Sequence, residues 1–288
     1  MALRGSLPGL QDLLAGGQIR GARPYQEDNF RISTFPDGDP DGCDVLMVLA
    51  DGMGGHRGGA EASWTAVTAF VEAFGATGGG VAARLKESLD SANEAVAARA
   101  AADHRLRGMG CTLVACVVTQ REEAHWISVG DSPLWLAPGG AGLDGGLSRL
   151  NADHSLKPLH AELMRRGEMS EEEALRGSHQ LRSAVTGEAL SLVDQGNWAR
   201  VAAGDLLILA SDGMETLSED SVRSLCDGRA SVGGIVSALL GEVEGLALPS
   251  QDNATVLIYR HKRRGAVQRR FDRLMAATRP PSPDFSQQ

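Results

Sequence analysis

The stretch Leu46-Met-Val-Leu-Ala-Asp51-Gly52 is an apolar run that ends on an acidic residue, and the pattern recurs along the chain. It is repeated in Leu206-Leu-Ile-Leu-Ala-Ser-Asp212-Gly213 and in Ile127-Ser-Val-Gly-Asp131, and Asp252 directly precedes the apolar residues 254–259. Short apolar runs bounded by Asp and Gly are typical of buried strands. Because the strand ends of a packed sheet system lie near one another, we expect these four carboxylates to converge.

Converging carboxylates repel one another unless a cation lies among them. Oxygen ligands without His or Cys favour Mg²⁺ or Mn²⁺ over zinc or copper. The alternative is that Asp-Gly and Asp-Asn are only turn residues at strand ends. One such position alone would favour the turn, whereas four together favour a metal centre.

The order of the elements predicts an α+β fold. Strands are expected at 45–50, 112–119, 124–129, 134–137, 147–150, 206–210 and 254–259, and helices at 64–74, 81–96, 159–166, 218–226 and 232–246. The first helix has an apolar stripe through Trp64, Val67, Val71 and Phe74, and Ser170 with Glu173 forms a capping box. Successive strands without helices between them indicate an antiparallel sheet system.

Composition and charge exclude several classes of protein. The 288 residues carry a net charge of −9, although seven basic residues and one acidic residue lie between 260 and 273. The acidic remainder lacks the basic surface that general nucleic-acid binding needs. No apolar run approaches the ~18 residues of a membrane helix, and the N-terminus lacks the pattern of a signal peptide. The four cysteines form no CxxC pair, so a cytoplasmic protein with reduced thiols and no integral membrane association is expected.

Seven short motifs follow one another between residues 23 and 259. They are Arg23-Pro-Tyr-Gln-Glu27-Asp28, Asp51-Gly-Met-Gly-Gly-His56, Gly108-Met-Gly-Cys-Thr112, Val129-Gly-Asp131-Ser132, Asp153-His-Ser-Leu156, Ser211-Asp212-Gly213 and Asp252-Asn253-Ala-Thr255. In content and order they resemble the metal-dependent protein phosphatases (the PPM family, type 2C), above all its short bacterial members. The resemblance implies a four-layer α/β/β/α sandwich, with two central antiparallel β-sheets flanked by helices.

The resemblance also implies a site for two Mn²⁺ or Mg²⁺ ions. Asp51 would bridge both ions, the Gly52 carbonyl would bind one of them, and Asp212 and Asp252 would bind the other. Glu27 would hold a metal-bound water.

Three further roles follow from the same resemblance. Asp28 would hold metal-bound water, and Asp131 would contribute to a third, weaker ion. Arg23 would bind the substrate phosphate as a bidentate fork and, with Asp51, is a candidate catalytic residue. The implied reaction is attack of a metal-activated water on the phosphoryl group, without a phosphoenzyme.

The chain departs from the family pattern in places. Met53 stands where animal members carry a His proposed as the general acid, and we do not transfer that role to His56. Thr216 stands where some members have a ligand for the third ion, so that ion is in question. None of these differences removes a ligand of the two main metals, and an active enzyme is expected.

The implied phosphatase domain covers residues 1–262, with residues 157–180 as a mobile flap beside the metal site. Residues 263–288 begin basic and become rich in Pro and Ser, which predicts a partly disordered tail. Residues 260–273 are interpreted as a solubilised helix end, with docking to an acidic partner or an anionic membrane as the alternative. Residues 37–42 imitate an EF-hand loop but run into a strand, so a solvated turn is expected.

The leading functional hypothesis is hydrolysis of phosphoserine and phosphothreonine on proteins by a monomeric signalling enzyme that opposes a Ser/Thr kinase. One alternative is a catalytically weak PPM-fold module for binding or regulation, which would not need the complete set of ligands. The other is a phosphatase of a stress or partner-switching circuit, which shares the chemistry and differs in substrate.

Overall fold

The computed structural model describes residues 13–35, 39, 41–54, 57–139, 146–198, 200–226 and 230–262, without the side chain of Arg57. His56 and the predicted tail at 263–288 lie outside the described residues, so the tail and the domain boundary at 262 stay predictions.

The described strands are β1 (Leu14–Ile19), β2 (Asn29–Thr34), β3 (Cys43–Ala50), β4 (Gly52–Met53), β5 (Gly110–Cys111), β6 (Leu113–Thr119), β7 (Ala124–Val129), β8 (Leu134–Ala137), β9 (Ser148–Arg149), β10 (Asp194–Trp198), β11 (Leu206–Ala210) and β12 (Ala254–Arg260). The α-helices are α1 (Arg57–Ala76), α2 (Val81–Ala102), α3 (Lys157–Arg165), α4 (Glu171–Leu175), α5 (Glu219–Leu225) and α6 (Val232–Gly245). Short 3₁₀ helices cover His104–Leu106 and Asp212–Thr216.

Two five-stranded antiparallel sheets form the centre of the described structure. One has the strand order β1-β12-β11-β8-β9 and the other β10-β7-β6-β3-β2. The short strands β4 and β5 pair separately, next to the end of β3. Asp51 therefore follows a strand of one sheet, and Asp212 follows a strand of the other.

The central strands are apolar throughout because both of their faces are buried. In β3, Leu46 and Val48 pack toward α1 and α2, while Val45 and Met47 pack against the other sheet. In β11, the alternate side chains pack in the same way toward α6 or toward the first sheet. Successive residues of a strand point to opposite faces. Three cores between four layers result, and the predicted α/β/β/α sandwich is confirmed.

Strands β1, β2, β4, β5 and β10 were not predicted. Strand β1 contains Gly16 and Gly17, which remove the apolar alternation that marks a strand. A Cβ atom at Gly16 would lie 2.5 Å from Leu257 Cδ2, and one at Gly17 would lie 2.9 Å from side chains of α6. These glycines let the edge strand pack closely against β12 and α6. Both elements lie far away in the chain, so the sequence around β1 does not reveal the packing.

The predicted apolar stripe of the first helix is wrong at one position. Phe70 and Phe74 are fully buried, as is Ala66, but the side chain of Trp64 is 54% exposed. Trp64 lies two residues before Ala66 and so on a different side of a helix with 3.6 residues per turn.

At residues 37–42 the predicted turn is present, since the amide of Gly42 donates to the carbonyl of Asp39 at 2.9 Å. The prediction that it is solvated is wrong for its described residues. Arg84, whose side chain is 2% exposed, pairs through Nη1 with Asp39 Oδ1 at 2.6 Å and with Asp41 Oδ2 at 3.1 Å. Its guanidinium also donates to the carbonyl of Phe74 and stacks 4.0 Å from the centre of that ring. Arg84 thus forms ion pairs with both acids, of which that with Asp39 is buried, and it links this loop to α1 and α2.

Residues 157–180 form two short helices, α3 and α4, outside the sheets. The predicted capping box of α4 is confirmed, since Ser170 Oγ accepts from the amide of Glu173, and the Glu173 carboxylate accepts from the amide of Ser170. The mobility of this flap stays a prediction. Among the described helices, none combines the length and the apolar character needed to cross a bilayer.

Candidate metal centre

A cavity of about 740 Å³ opens where the two sheets end. Seven of the eight predicted site residues line it: Arg23, Glu27, Asp51, Gly52, Asp131, Asp212 and Asp252. They come from positions up to 229 residues apart in the chain, and both sheets contribute. The expected convergence of four carboxylates is therefore present as a shared cavity.

Asp51 is held by reciprocal hydrogen bonds with Thr112. The amide of Asp51 donates to Thr112 Oγ1 at 3.0 Å, and the amide of Thr112 donates to the carbonyl of Asp51 at 2.8 Å. Thr112 Oγ1 also shares a hydrogen bond of 2.7 Å with Ser132 Oγ. The end of β3 is thus fixed to the start of β6 and to the residue that follows Asp131.

The glycines after two of the acids are required by close backbone approach. A Cβ atom at Gly52 would lie 2.2 Å from the carbonyl oxygen of Gly59, and one at Gly213 would lie 1.9 Å from that of Asn253. Real Cβ contacts are never this short. The Asp-Gly pairs at 51–52 and 212–213 therefore serve packing around the cavity as well as turn geometry.

Asp28 is the predicted site residue that does not line the cavity. It is 4% exposed, and its Oδ2 accepts from Ser211 Oγ at 2.8 Å and from Thr255 Oγ1 at 2.6 Å. Its Oδ1 is buried and has no hydrogen-bond partner among the described residues. Burial raises the pKa of Asp28 to about 6, with Asp212 and Asp252 adding to the effect and the two hydroxyl donors opposing it.

Asn253 fixes the loop that carries the basic residue of the site. Its side-chain amide donates to the carbonyls of Arg20 and Tyr25, and its Oδ1 accepts from the amide of Glu27 at 2.7 Å. Beside it, Asp252 Oδ2 pairs with Arg23 Nη2 at 2.5 Å. The guanidinium of Arg23 is half exposed and faces the cavity.

The acids raise one another's pKa. Burial raises the pKa of Asp51 well above its usual range, and Asp28 and Asp212 add to it. Burial also raises the pKa of Asp212, followed by the charge of Asp252, while a hydrogen bond with Asp51 opposes the shift. Carboxylates that repel in this way form a site that favours a cation.

Asp131 stands beside a second group of charges. Burial raises its pKa to about 7, and Asp212, Asp153 and Glu215 add to the effect while Lys157 opposes it. Lys157, the first residue of α3, forms an ion pair with Glu215. The importance of Lys157 and Glu215 was missed from the sequence, because no local pattern links residues 58 positions apart.

A further part of the cavity wall was also not predicted from the sequence. It comes from residues 179–191, which begin with the last two residues of the flap and include His179, Arg182 and Glu188. Cys111 pairs with Val185 through two backbone hydrogen bonds, which fixes this segment beside the end of β3. In the sequence the segment shows no periodic pattern, and only the backbone pairing of Val185 with Cys111 shows that it lies beside the cavity.

The donors fit Mg²⁺ or Mn²⁺ in kind. Asp51, Asp131, Asp212 and Asp252 bring hard oxygen atoms to one cavity, and Asp28 Oδ1 is a buried acceptor that receives no hydrogen bond from the part of the chain that the structure describes. Within the described ranges, no three acidic, imidazole or thiol side chains are gathered tightly enough to enclose one ion. Such ions are usually held by one or two carboxylates together with waters, so a three-side-chain cage is not needed.

Known proteins match most of this chain. The family model of protein phosphatase 2C matches residues 26–230. The serine/threonine phosphatase stp of Listeria monocytogenes is 29% identical over 244 residues, which are 82% of this chain and 90% of that protein. The crystal structure of the Mycobacterium tuberculosis serine/threonine phosphatase PstP/Ppp covers 87% of this chain and 98% of its own, with a TM-score of 0.69 and 25% identity.

A second structure, the catalytic domain of PstP in complex with two manganese ions, is 26% identical with a TM-score of 0.67. It covers 85% of this chain and 96% of its own. The family match spans well over half of the 288 residues and includes Asp51, Asp131 and Asp212. From its sequence, its two-sheet sandwich and its acidic cavity, the chain belongs to the protein phosphatase 2C family.

Proposed function

We propose that this chain hydrolyses phosphoserine and phosphothreonine on proteins with the help of two Mn²⁺ or Mg²⁺ ions. The observation that carries the proposal is the convergence of Asp51, Asp212 and Asp252 from both sheets in one cavity with Arg23. The relatives named as serine/threonine phosphatases, and the PstP complex with two manganese ions, support it.

Asp51 and the Gly52 carbonyl would hold the ions on the side of β3, and Asp212 and Asp252 would hold them on the side of the other sheet. Glu27 and Asp28 would orient bound water. The ions, when bound, lower the pKa of a water and neutralise phosphoryl charge.

Arg23 is suited to receive the phosphate. Its guanidinium offers a bidentate fork for phosphate oxygens, and half of its surface is open to the cavity. Its pair with Asp252 is partly exposed and therefore weakly held, so exchange of the carboxylate for a phosphate costs little. Met53, which lines the cavity, carries no transferable proton, so we assign the protonation of the leaving alkoxide to water.

The complete acidic set favours an enzyme over a catalytically weak binding or regulatory module. A module would not need Asp28 buried close to Asp212 and Asp252 with an oxygen that no described residue pairs, because such a group costs folding free energy. We also propose a cytoplasmic signalling role for a monomer that opposes a Ser/Thr kinase. A phosphatase of a stress or partner-switching circuit would use the same site on another phosphoprotein.

Turnover of an aryl phosphate and of phosphoserine, phosphothreonine and phosphotyrosine peptides, with Mn²⁺ and with a chelator, tests the proposal. We expect Mn²⁺-dependent turnover that the chelator abolishes and that is lost in Asp252→Asn. Asp205→Asn is the matched control, because Asp205 precedes β11 at the end of the strand opposite to Asp212 and accepts from the amides of Gly139 and Ala202. Full activity of Asp252→Asn, or activity unaffected by the chelator, would exclude the proposed chemistry.

A further inference from the structure

A cluster of opposite charges lies at one edge of the cavity, beside Asp131. Lys157 Nζ forms an ion pair with Glu215 Oε2. Arg149 Nη1 lies 3.2 Å from Asp153 Oδ2 and 3.7 Å from Glu215 Oε1, and Arg149 Nη2 donates to the backbone carbonyl of Asp131 at 2.6 Å. Two cations and three acids thus share one small volume, which we call the edge cluster.

The edge cluster is largely shielded from solvent. The side chains of Arg149, Lys157 and Glu215 are each about a quarter exposed, that of Asp153 is 13% exposed, and Asp131 is buried. Charges in such surroundings are screened less by salt and water than charges on an open surface. Each ion pair therefore influences its neighbours, including the carboxylate of Asp131.

The edge cluster differs from the main group of acids in how its charge is balanced. Asp28, Asp51, Asp212 and Asp252 have one ion-pair partner within the described structure, the half-exposed Arg23 on Asp252. In the edge cluster, by contrast, Asp153 and Glu215 are already paired with Arg149 and Lys157. Lys157 also acts favourably on the charged forms of both Asp131 and Asp212.

Lys157 is positioned to neutralise charge and not to touch a substrate. It is not among the residues that line the cavity, whereas Asp131 and Asp212 are. Its ammonium is held in place by Glu215, three residues beyond Asp212 in the same 3₁₀ helix. Arg149 donates to the backbone carbonyl of Asp131, and Arg149 and Lys157 both lie at the carboxylate of Glu215. A divalent ion on Asp131 would therefore lie close to two fixed positive charges.

We propose that Lys157, supported by Arg149, replaces the third divalent ion that the acids around Asp131 would otherwise attract. The proposal rests on the proposed function, because it assumes that two ions bind at Asp51, Asp212 and Asp252. The positive charge of Lys157 then neutralises Asp131 in place of the weaker third ion, which the family resemblance implied and Thr216 put in question. The chain then binds two ions tightly and no third ion with comparable affinity.

The number of bound Mn²⁺ ions tests this. Equilibrium dialysis of the full chain with metal analysis should give two tightly bound ions for the wild type. In Lys157→Met, which keeps the length of the side chain and suits a helix, we expect a third ion with affinity at least about tenfold higher than in the wild type, because a nearby positive charge is gone. Lys157→Arg, which keeps the charge, should behave as the wild type.

Lys86→Met is the control, since Lys86 forms an exposed pair with Asp90 on α2, away from the cavity. Lys157→Gln is a second neutral variant for use if Lys157→Met fails to fold. A third tight ion in the wild type, or no gain in either neutral variant, would overturn the inference while leaving the two-metal function intact. No bound Mn²⁺ in the wild type would overturn the proposed function itself.

Discussion

Replacing Asp212 with Asn removes one carboxylate from the proposed metal centre and keeps the shape of the side chain. The pKa of Asp212 is raised by burial and by the charge of Asp252, so its ionised form is destabilising when no cation neutralises it. Asn retains an oxygen that can accept the hydrogen bond between positions 51 and 212. Without divalent ions, the variant should therefore be no less stable than the wild type, and slightly more.

The effect on function should be large. If Asp212 is a metal ligand, as proposed, its loss should lower turnover of an aryl phosphate by at least about two orders of magnitude. A cation at 100 times its dissociation constant adds about 2.7 kcal/mol per site to the free energy of unfolding. For a domain of this size, each kcal/mol raises the melting temperature by roughly 2–4 °C. Wild type should therefore gain about 5–10 °C per occupied site with Mn²⁺, and Asp212→Asn much less.

Steady-state turnover and thermal melting with and without Mn²⁺ measure both effects. Asp205→Asn, at the other end of β11, serves as the control. It should lower stability, because its carboxylate accepts two backbone amides, but it should leave the Mn²⁺-induced shift unchanged. An Asp212→Asn variant with wild-type turnover and a wild-type shift would mean that Asp212 is a turn residue and not a ligand.

Arg84→Met should cost about 3–5 kcal/mol in denaturant unfolding, because it leaves Asp39 buried without its partner, and a cost below 1 kcal/mol would contradict the buried pair. With a chelator present, Asp131→Asn should gain stability relative to wild type as the pH rises from about 4 to about 7, because the raised pKa of Asp131 makes the folded wild type lose stability over that window. A constant difference across that window would argue against the raised pKa. Trimming residues 157–180 should reduce activity on a phosphoprotein more than on an aryl phosphate, whereas equal losses would identify the flap as a structural support.

The apolar strands could be predicted from the sequence because their signal is local. Strand β3 is buried on both faces, so its run of apolar residues reveals both the strand and the acid at its end. The site residues were predicted because they lie in short motifs that resemble those of a known family, and seven of them line one cavity. Strand β1 could not be predicted from the sequence, because the space beside Gly16 is filled by the side chain of Leu257, which lies far away in the chain.

Ion pairs between residues far apart in the chain could not be predicted from the sequence either. Asp39 and Asp41 have the composition of a solvated turn, and only the packing of α1 and α2 brings Arg84 to them. The same holds for Glu215, whose partner Lys157 lies in the flap. Long-range ion pairs leave no periodic trace in a sequence, so they emerge only when the chain is folded.

The central core between the two sheets also determines how far apart the opposing carboxylates lie. Asp51 follows a strand of one sheet and Asp212 a strand of the other, and the side chains of Met47, Leu207 and Leu209 fill the core between the two sheets. Packed sheets lie about 10 Å apart, a distance that depends on the bulk of the residues at their interface. Mg²⁺ tolerates less variation in its coordination distances than larger ions do. If the proposed metal centre binds its ions between the two sheets, we expect substitutions in this core to change the relative activity with Mg²⁺ and Mn²⁺ while every proposed ligand stays in place.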